Sequence, residues 1–131
     1  MPEPRPAPAE SASVSVEDHG VAVVVRVAGE IDMLTEAVVG EPLSACLNAV
    51  PRAVVIDLSE VGFIGSTGLN LLVRARRQAL RDGVTVRVVA NTRAVRRPLE
   101  ITGLTRYLPL CASVPEALRS IGAASDAATG R

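Results

Sequence analysis

The hydrophobic pattern changes period several times along the 131 residues, and each change marks an element. Val14 and Val16 alternate with Ser15 and Glu17, Asp18-His19-Gly20 supplies a turn, and Val21 to Ala28 is a longer β-branched run, so a β-hairpin is predicted. Its second strand is apolar on both faces except at Arg26, which places it inside a sheet. After Gly29-Glu30-Ile31-Asp32, a helix is expected from a Thr35 cap to Ala49, with irregular first turns at Gly40 and Pro42. Ala53 to Leu58 reads as a short buried strand. Beyond it, Leu69, Leu72, Val73, Ala79 and Leu80 recur at helical spacing up to Gly83, and Ser66 stands where such a helix takes its N-cap. Val84 to Ala90 is a third buried strand, Thr92 to Thr102 a helix tightened at Pro98, and Tyr107 to Cys111 a final strand. Pro115 sits in the first turn of a last helix, PEALRSIG at 115–122.

Strands alternating with helices predict an α/β fold: one domain over residues 13–121. Its sheet is expected to be mixed but mostly parallel, with four to five strands, an antiparallel N-terminal hairpin strand and four helices. Residues 1–12, rich in Pro, Ala and Glu, and the small polar run 122–131 are expected to be disordered tails.

Composition narrows the function. Fourteen arginines balance fourteen acids, so no overall field gathers nucleic acid or an anionic membrane, and the 2% aromatic content removes stacking platforms. The chain shows no signal-peptide core and no membrane-length apolar run, and is read as a cytoplasmic monomer. Enzymatic machinery is not expected. His19, the one histidine, lies in a turn, the two cysteines Cys46 and Cys111 are far apart, and no phosphate-cradling glycine motif occurs, so neither a catalytic triad nor a metal or cofactor site is foreseen. Cys46 and Cys111 leave open a thiol-responsive binding module.

Two clusters carry candidate chemistry. On the helix after Ser66, Asn70, Arg74, Arg77, Gln78 and Arg81 fall on one stripe, which serves either as a solvated face or as a docking surface. If the strands ending at Gly29 and Leu58 are parallel, Glu30, Asp32, Glu60 and Ser66 emerge from one sheet edge, where such folds place their sites. As an N-cap the Ser66 hydroxyl contributes about 1 kcal/mol. As a phosphoacceptor it holds added negative charge over the positive end of a helix dipole.

Three segments resemble the STAS domain proteins that act as anti-sigma factor antagonists: GEID at 29–32, VVIDLSEVGFIGSTGLNLLVRA at 54–75, and VRRPLEITGLTRYLPLCASVPEAL at 95–118. The resemblance implies a partner switch. The unphosphorylated protein binds an anti-sigma factor, a serine kinase of the histidine-kinase ATPase type, and frees the sigma factor. Phosphorylation dissolves the complex, and a PP2C-type phosphatase restores it. Carried onto this chain, the phosphoacceptor is Ser66, with Thr67 as second choice. The partner-binding set is Glu30, Asp32, Gly65, Ser66, Thr67, Asn70, Arg74 and Arg77. The family's aspartate before the phosphoacceptor is Gly65 here, which keeps an alternative open: a STAS subunit of a transport or stress-sensing assembly, without phosphoswitching.

Overall fold

The computed structural model describes residues 11–129, with side chains described to residue 123. The elements follow in the order β1 (Ala12–Asp18), β2 (Val23–Ile31), α1 (Glu36–Asn48), β3 (Ala53–Ile64), α2 (Ser66–Asp82), β4 (Thr85–Val89), α3 (Arg93–Ile101), a 3-10 turn (Leu104–Arg106), β5 (Leu110–Cys111) and α4 (Val114–Thr129). One five-stranded sheet has the order β1-β2-β3-β4-β5, antiparallel between β1 and β2 and parallel elsewhere. β2 is therefore internal, as its apolar faces require.

Alternation along the strands sends side chains to two cores. Val25, Val27, Val54, Ile56 and Val88 meet α1, α2 and α3 on one face, through Leu43, Leu47, Leu72, Ala75, Val95 and Leu99. Val24, Val55 and Val89 meet Ala117 and Ile121 of α4 on the other. Cys46 packs against the first core and Cys111 belongs to the second, so the sheet stands between the two thiols. Burial raises both thiol pKa values, with the charge of Glu116 adding to the effect at Cys111, which disfavours the reactive thiolate. The thiol-responsive reading has no geometric support.

Several boundaries differ from the sequence reading. β3 does not end at Leu58 but runs to Ile64, because two register shifts interrupt its alternation. Arg26 pairs with Asp57 and Ala28 with Glu60, then Gly29 with Val61 and Glu30 with Phe63, so each shift inserts one extra residue into β3. The first bulge is stabilised by Asp57, 4% exposed, which accepts hydrogen bonds from the Ser59 amide at 3.0 Å and from its hydroxyl, and an ion pair from Arg26 at 2.8 Å. Arg26 thus sits inside the sheet because its charge has a buried partner. β5 is only Leu110–Cys111, because Tyr107 to Pro109 leave the 3-10 turn as irregular chain before pairing begins, and α4 runs from Val114 to Thr129, past Ile121 and into the segment assigned to the tail. Residues 1–10 and 130–131 of the expected tails lie outside the described residues.

Two glycines are fixed by the packing. Gly29 has φ +100°, and a Cβ there would run into the Ser11 carbonyl oxygen. At Gly68, in the first turn of α2, a Cβ would lie 2.6 Å from Ile64 Cγ1 and 2.8 Å from Ile31 Cγ2. Gly68 lets α2 start close against the ends of β2 and β3. We expect Gly68→Ala to destabilise the fold by about 1–3 kcal/mol, the overpacking outweighing the better helix propensity of alanine. Chemical denaturation checks this, with Gly62→Ala as the near-neutral control, since nothing lies within 4 Å of its Cβ position.

Candidate functional site

The site is built where β2 and β3 end side by side. Ile31 pairs with Ile64, and the Gly65 amide then donates to the Ile31 carbonyl at 2.9 Å, joining the β2–α1 loop to the entrance of α2. Gly65, at φ −95° and ψ −172°, is the N-cap residue, and its carbonyl accepts the first helical hydrogen bond from Leu69 at 3.0 Å. Ser66 is therefore the first helical residue and not the cap: no side chain caps α2, which corrects the sequence reading. The Ser66 side chain is exposed and makes no hydrogen bond within the described residues. Its hydroxyl is not needed by the fold.

Gly65 itself adopts extended backbone that any residue can take. A Cβ at this position would lie 3.3 Å from the Phe63 ring, a side chain that is 49% exposed and free to give.

The loop beside Ser66 is held from within. Thr35, 1% exposed, stands at the N-cap of α1 but does not cap it. Its hydroxyl donates to the Glu30 carbonyl at 2.7 Å and accepts from the Asp32 amide at 3.0 Å. The Asp32 carboxylate accepts from the Leu34 amide at 2.9 Å and the Thr35 amide at 3.1 Å, so one of its oxygens is committed to the loop. Glu30 is anchored through its amide to the Ser11 carbonyl at 3.0 Å. These bonds leave Met33 and Leu34 outside, 76% and 70% exposed. Met33 and Leu34 line a cleft of about 600 Å³ with Ala37 of α1 and Leu71 and Arg74 of α2, while Phe63, also exposed, lies beside Gly65; these exposed apolar side chains are a feature the sequence reading missed. Its only sequence signal was an apolar pair following GEID and a phenylalanine at a position that simple alternation from Leu58 leaves unassigned.

The arginine stripe is divided by its contacts. Thr67, Asn70, Arg74 and Arg77 share a depression of about 450 Å³ with Glu36, in which Arg74 Nη2 meets Glu36 Oε2 at 3.2 Å. Gln78 instead donates to Asn48 Oδ1 at 2.7 Å, and Arg81 lies 3.7 Å from its neighbour Asp82. The structure thus brings Gly65 and Ser66 next to the loop carrying Glu30 and Asp32, and Thr67, Asn70, Arg74 and Arg77 along the adjoining helix face. Gln78 and Arg81 are occupied further along the helix. Glu60 is exposed on β3 and borders a separate cleft of about 460 Å³ with Arg26, Asp57, Ser59 and Asn91, so it does not join the Ser66 surface. His19 is confined to the β1–β2 turn, 2.9 Å from Glu17. Among the described residues no group of three or more His, Cys, Asp and Glu side chains could hold a metal ion, and no helix is long and apolar enough to cross a membrane.

Comparison with known proteins adds to this geometry. Residues 13–117 match the model of the STAS domain family. The anti-sigma-F factor antagonist RsfB of Mycobacterium tuberculosis is 36% identical over 106 residues, covering 81% of this chain and 86% of that protein. The antagonist RsfA of the same organism is 29% identical over 105 residues, covering 79% and 82%. The crystal structure of an anti-sigma factor antagonist from Mycobacterium paratuberculosis superposes with a TM-score of 0.81 at 38% identity, covering 86% of this chain and 95% of that one.

The Thr35 latch yields a test. Thr35→Val removes the hydroxyl and leaves the Glu30 carbonyl and Asp32 amide without their partner, and is expected to cost about 1–3 kcal/mol. Hydrogen exchange of the Asp32 amide should accelerate in this variant while the amides of β4 keep their protection relative to global stability.

Proposed function

Since the chain belongs to the STAS domain family of anti-sigma factor antagonists, non-enzymatic regulators of sigma factors, we propose that its Ser66 surface docks an anti-sigma factor and that phosphorylation of Ser66 releases it. The observation that carries this reading is the state of Ser66: an exposed hydroxyl with no structural duty, at the first position of α2, next to the Gly65 amide that bonds the end of β2. The exposed Met33, Leu34 and Phe63 supply apolar area that a partner can bury, and the carboxylates of Glu30 and Asp32 and the guanidinium of Arg77 supply orientation. The Asp32 oxygen not bonded to the loop is the part of that carboxylate a partner can use.

Transfer of the γ-phosphoryl group of ATP to Ser66 Oγ forms an O–P bond, releases ADP and sends the hydroxyl proton to the kinase or to water. The product carries up to two negative charges in the middle of the surface. The N-terminal end of α2 tolerates that charge, so the fold survives. The docked complex does not, because a hydrated dianion must be desolvated without a matched cation. Arg74 is a poor rescuer: it starts about 12 Å along the helix axis from Ser66, and it is already engaged by Glu36.

In this reading the anti-sigma factor is itself the serine kinase, of the histidine-kinase ATPase type, and a PP2C-type phosphatase resets the switch. Thr67, half-buried beside Asn70 and Arg74, is the second acceptor. Gly65 favours one competing reading, a STAS subunit in a larger assembly, since the carboxylate that family members place before the phosphoacceptor is missing. Incubation with the partner kinase and ATP, followed by mass spectrometry, separates the two: an added phosphate on Ser66 or Thr67 supports the switch and its absence supports the assembly.

Binding to the anti-sigma factor should distinguish three proteins. Ser66→Ala is expected to keep the native affinity and to stay bound when ATP is added, whereas Ser66→Asp is expected to weaken binding by about tenfold or more, equivalent to ~1.4 kcal/mol. Calorimetry with and without ATP measures this, and equal affinities for all three proteins would overturn the proposal.

A further inference from the structure

The balanced total charge conceals a segregation. Between residues 11 and 72 eight acids stand against two arginines, whereas between residues 73 and 123 ten arginines stand against three acids. Much of that second block is on α3 and its surroundings. Val95 and Leu99 turn inward, each 0% exposed, so Arg93, Arg97 and Ile101, at i, i+4 and i+8, form a stripe on the opposite, outward side of the helix. Ile101 is 70% exposed at the end of two arginines. The acid within α3, Glu100, lies 3.9 Å from Arg96. Among the described residues no carboxylate lies within 4.0 Å of Arg93, Arg97, Arg106 or Arg76.

The 3-10 turn extends the same surface. Tyr107, 37% exposed, carries the Arg76 guanidinium 6.0 Å from its ring centroid, which holds this arginine of α2 against the turn. Arg76 Nε is buried without an acceptor. A guanidinium that is ordered in this way and lacks an anion presents its outer nitrogens to an incoming carboxylate with little entropy left to lose.

We propose that the outward face of α3 and the adjoining 3-10 turn form a second docking surface, which takes an acidic protein segment carrying a large apolar residue. Arginine is the side chain suited to bidentate carboxylate contact, and several of them here have no acid in the structure. Ile101 decides between a protein and a nucleic acid: an exposed aliphatic side chain among arginines complements an apolar residue and offers nothing to a phosphate backbone. The only aromatic ring on this face, Tyr107, is occupied by Arg76 and does not stand free for base stacking.

The surface is also independent of the switch. Arg76 lies ten residues after Ser66, about 15 Å along the axis of α2, and charge effects between exposed groups decay over about 8 Å at physiological ionic strength. Occupation of the α3 face is therefore insensitive to charge on Ser66, and the protein can hold an acidic partner in both states of the switch.

Fluorescence anisotropy at physiological ionic strength tests this with three labelled probes: a twelve-residue peptide of Asp and Glu with a central leucine, the same peptide with serine at its centre, and a twelve-nucleotide single-stranded DNA. The leucine peptide is expected to bind saturably and about tenfold more tightly than the serine peptide, and Ile101→Ser is expected to erase that difference. Arg97→Gln should weaken the leucine peptide severalfold, while Ser66→Asp should leave its affinity within about twofold. Both α3 substitutions are at exposed positions, and unchanged binding of the anti-sigma factor by these variants keeps this surface distinct from the Ser66 surface. Failure of the leucine peptide to saturate, tighter binding of the DNA than of the peptide, or loss of peptide binding in Ser66→Asp would overturn the proposal.

Discussion

The parallel pairing of β2 with β3 governs everything around Ser66. It persists to Ile31 and Ile64 and continues as the hydrogen bond from the Gly65 amide to the Ile31 carbonyl at 2.9 Å. That bond fixes where α2 begins, and Gly68 lets the new helix pack directly on the two isoleucines. The position of the serine is thus set by backbone pairing and close packing, with no contribution from its own side chain. A residue placed by its neighbours in this way is free to change chemistry. A change of charge at this position alters the surface and leaves the backbone pairing in place.

The order of elements was legible because the hydrophobic period changes sharply between strands and helices. Val21 to Ala28, Leu69 to Leu80 and Val84 to Ala90 carry strong periodic or β-branched signals, and each corresponds to β2, α2 or β4. The end of β3 was not legible. Ile56 and Leu58 are two apart, but Val61 and Ile64 reach the same core at intervals of three, because each bulge consumes a residue. Alternation therefore breaks at the place where the strand carries the chain to the site. The expected strand from Tyr107 is shorter for another reason: Leu108 is buried in the core from irregular chain that follows the 3-10 turn, and its apolar side chain two residues before Leu110 mimics strand alternation.

At the site, sequence motifs located the loop and the helix but misassigned the hydroxyls. Ser66 has the residue type and apparent position of a cap, yet the extended residue before it takes that place. Thr35 has the same appearance before α1, and its hydroxyl turns back into the loop to bond Glu30 and Asp32. A capping preference is a statement about one helix end, whereas both hydroxyls are governed by the neighbouring strand or loop. Met33, Leu34 and Phe63 were overlooked for a different reason. Hydrophobic residues are ordinarily assigned to the core, whereas Met33 and Leu34 stand outside on the β2–α1 loop and Phe63 lies on the outer side of the bulged end of β3.

The backbone at Gly65 leaves the choice of residue at that position open. Nothing in its extended conformation demands glycine, and the nearest obstacle is the exposed ring edge of Phe63. A carboxylate can be gained or lost at this position without disturbing the chain's folding, so the residue before the serine is free to drift under selection for recognition alone. A position uncoupled from stability is a place where discrimination between partners can change in a single substitution.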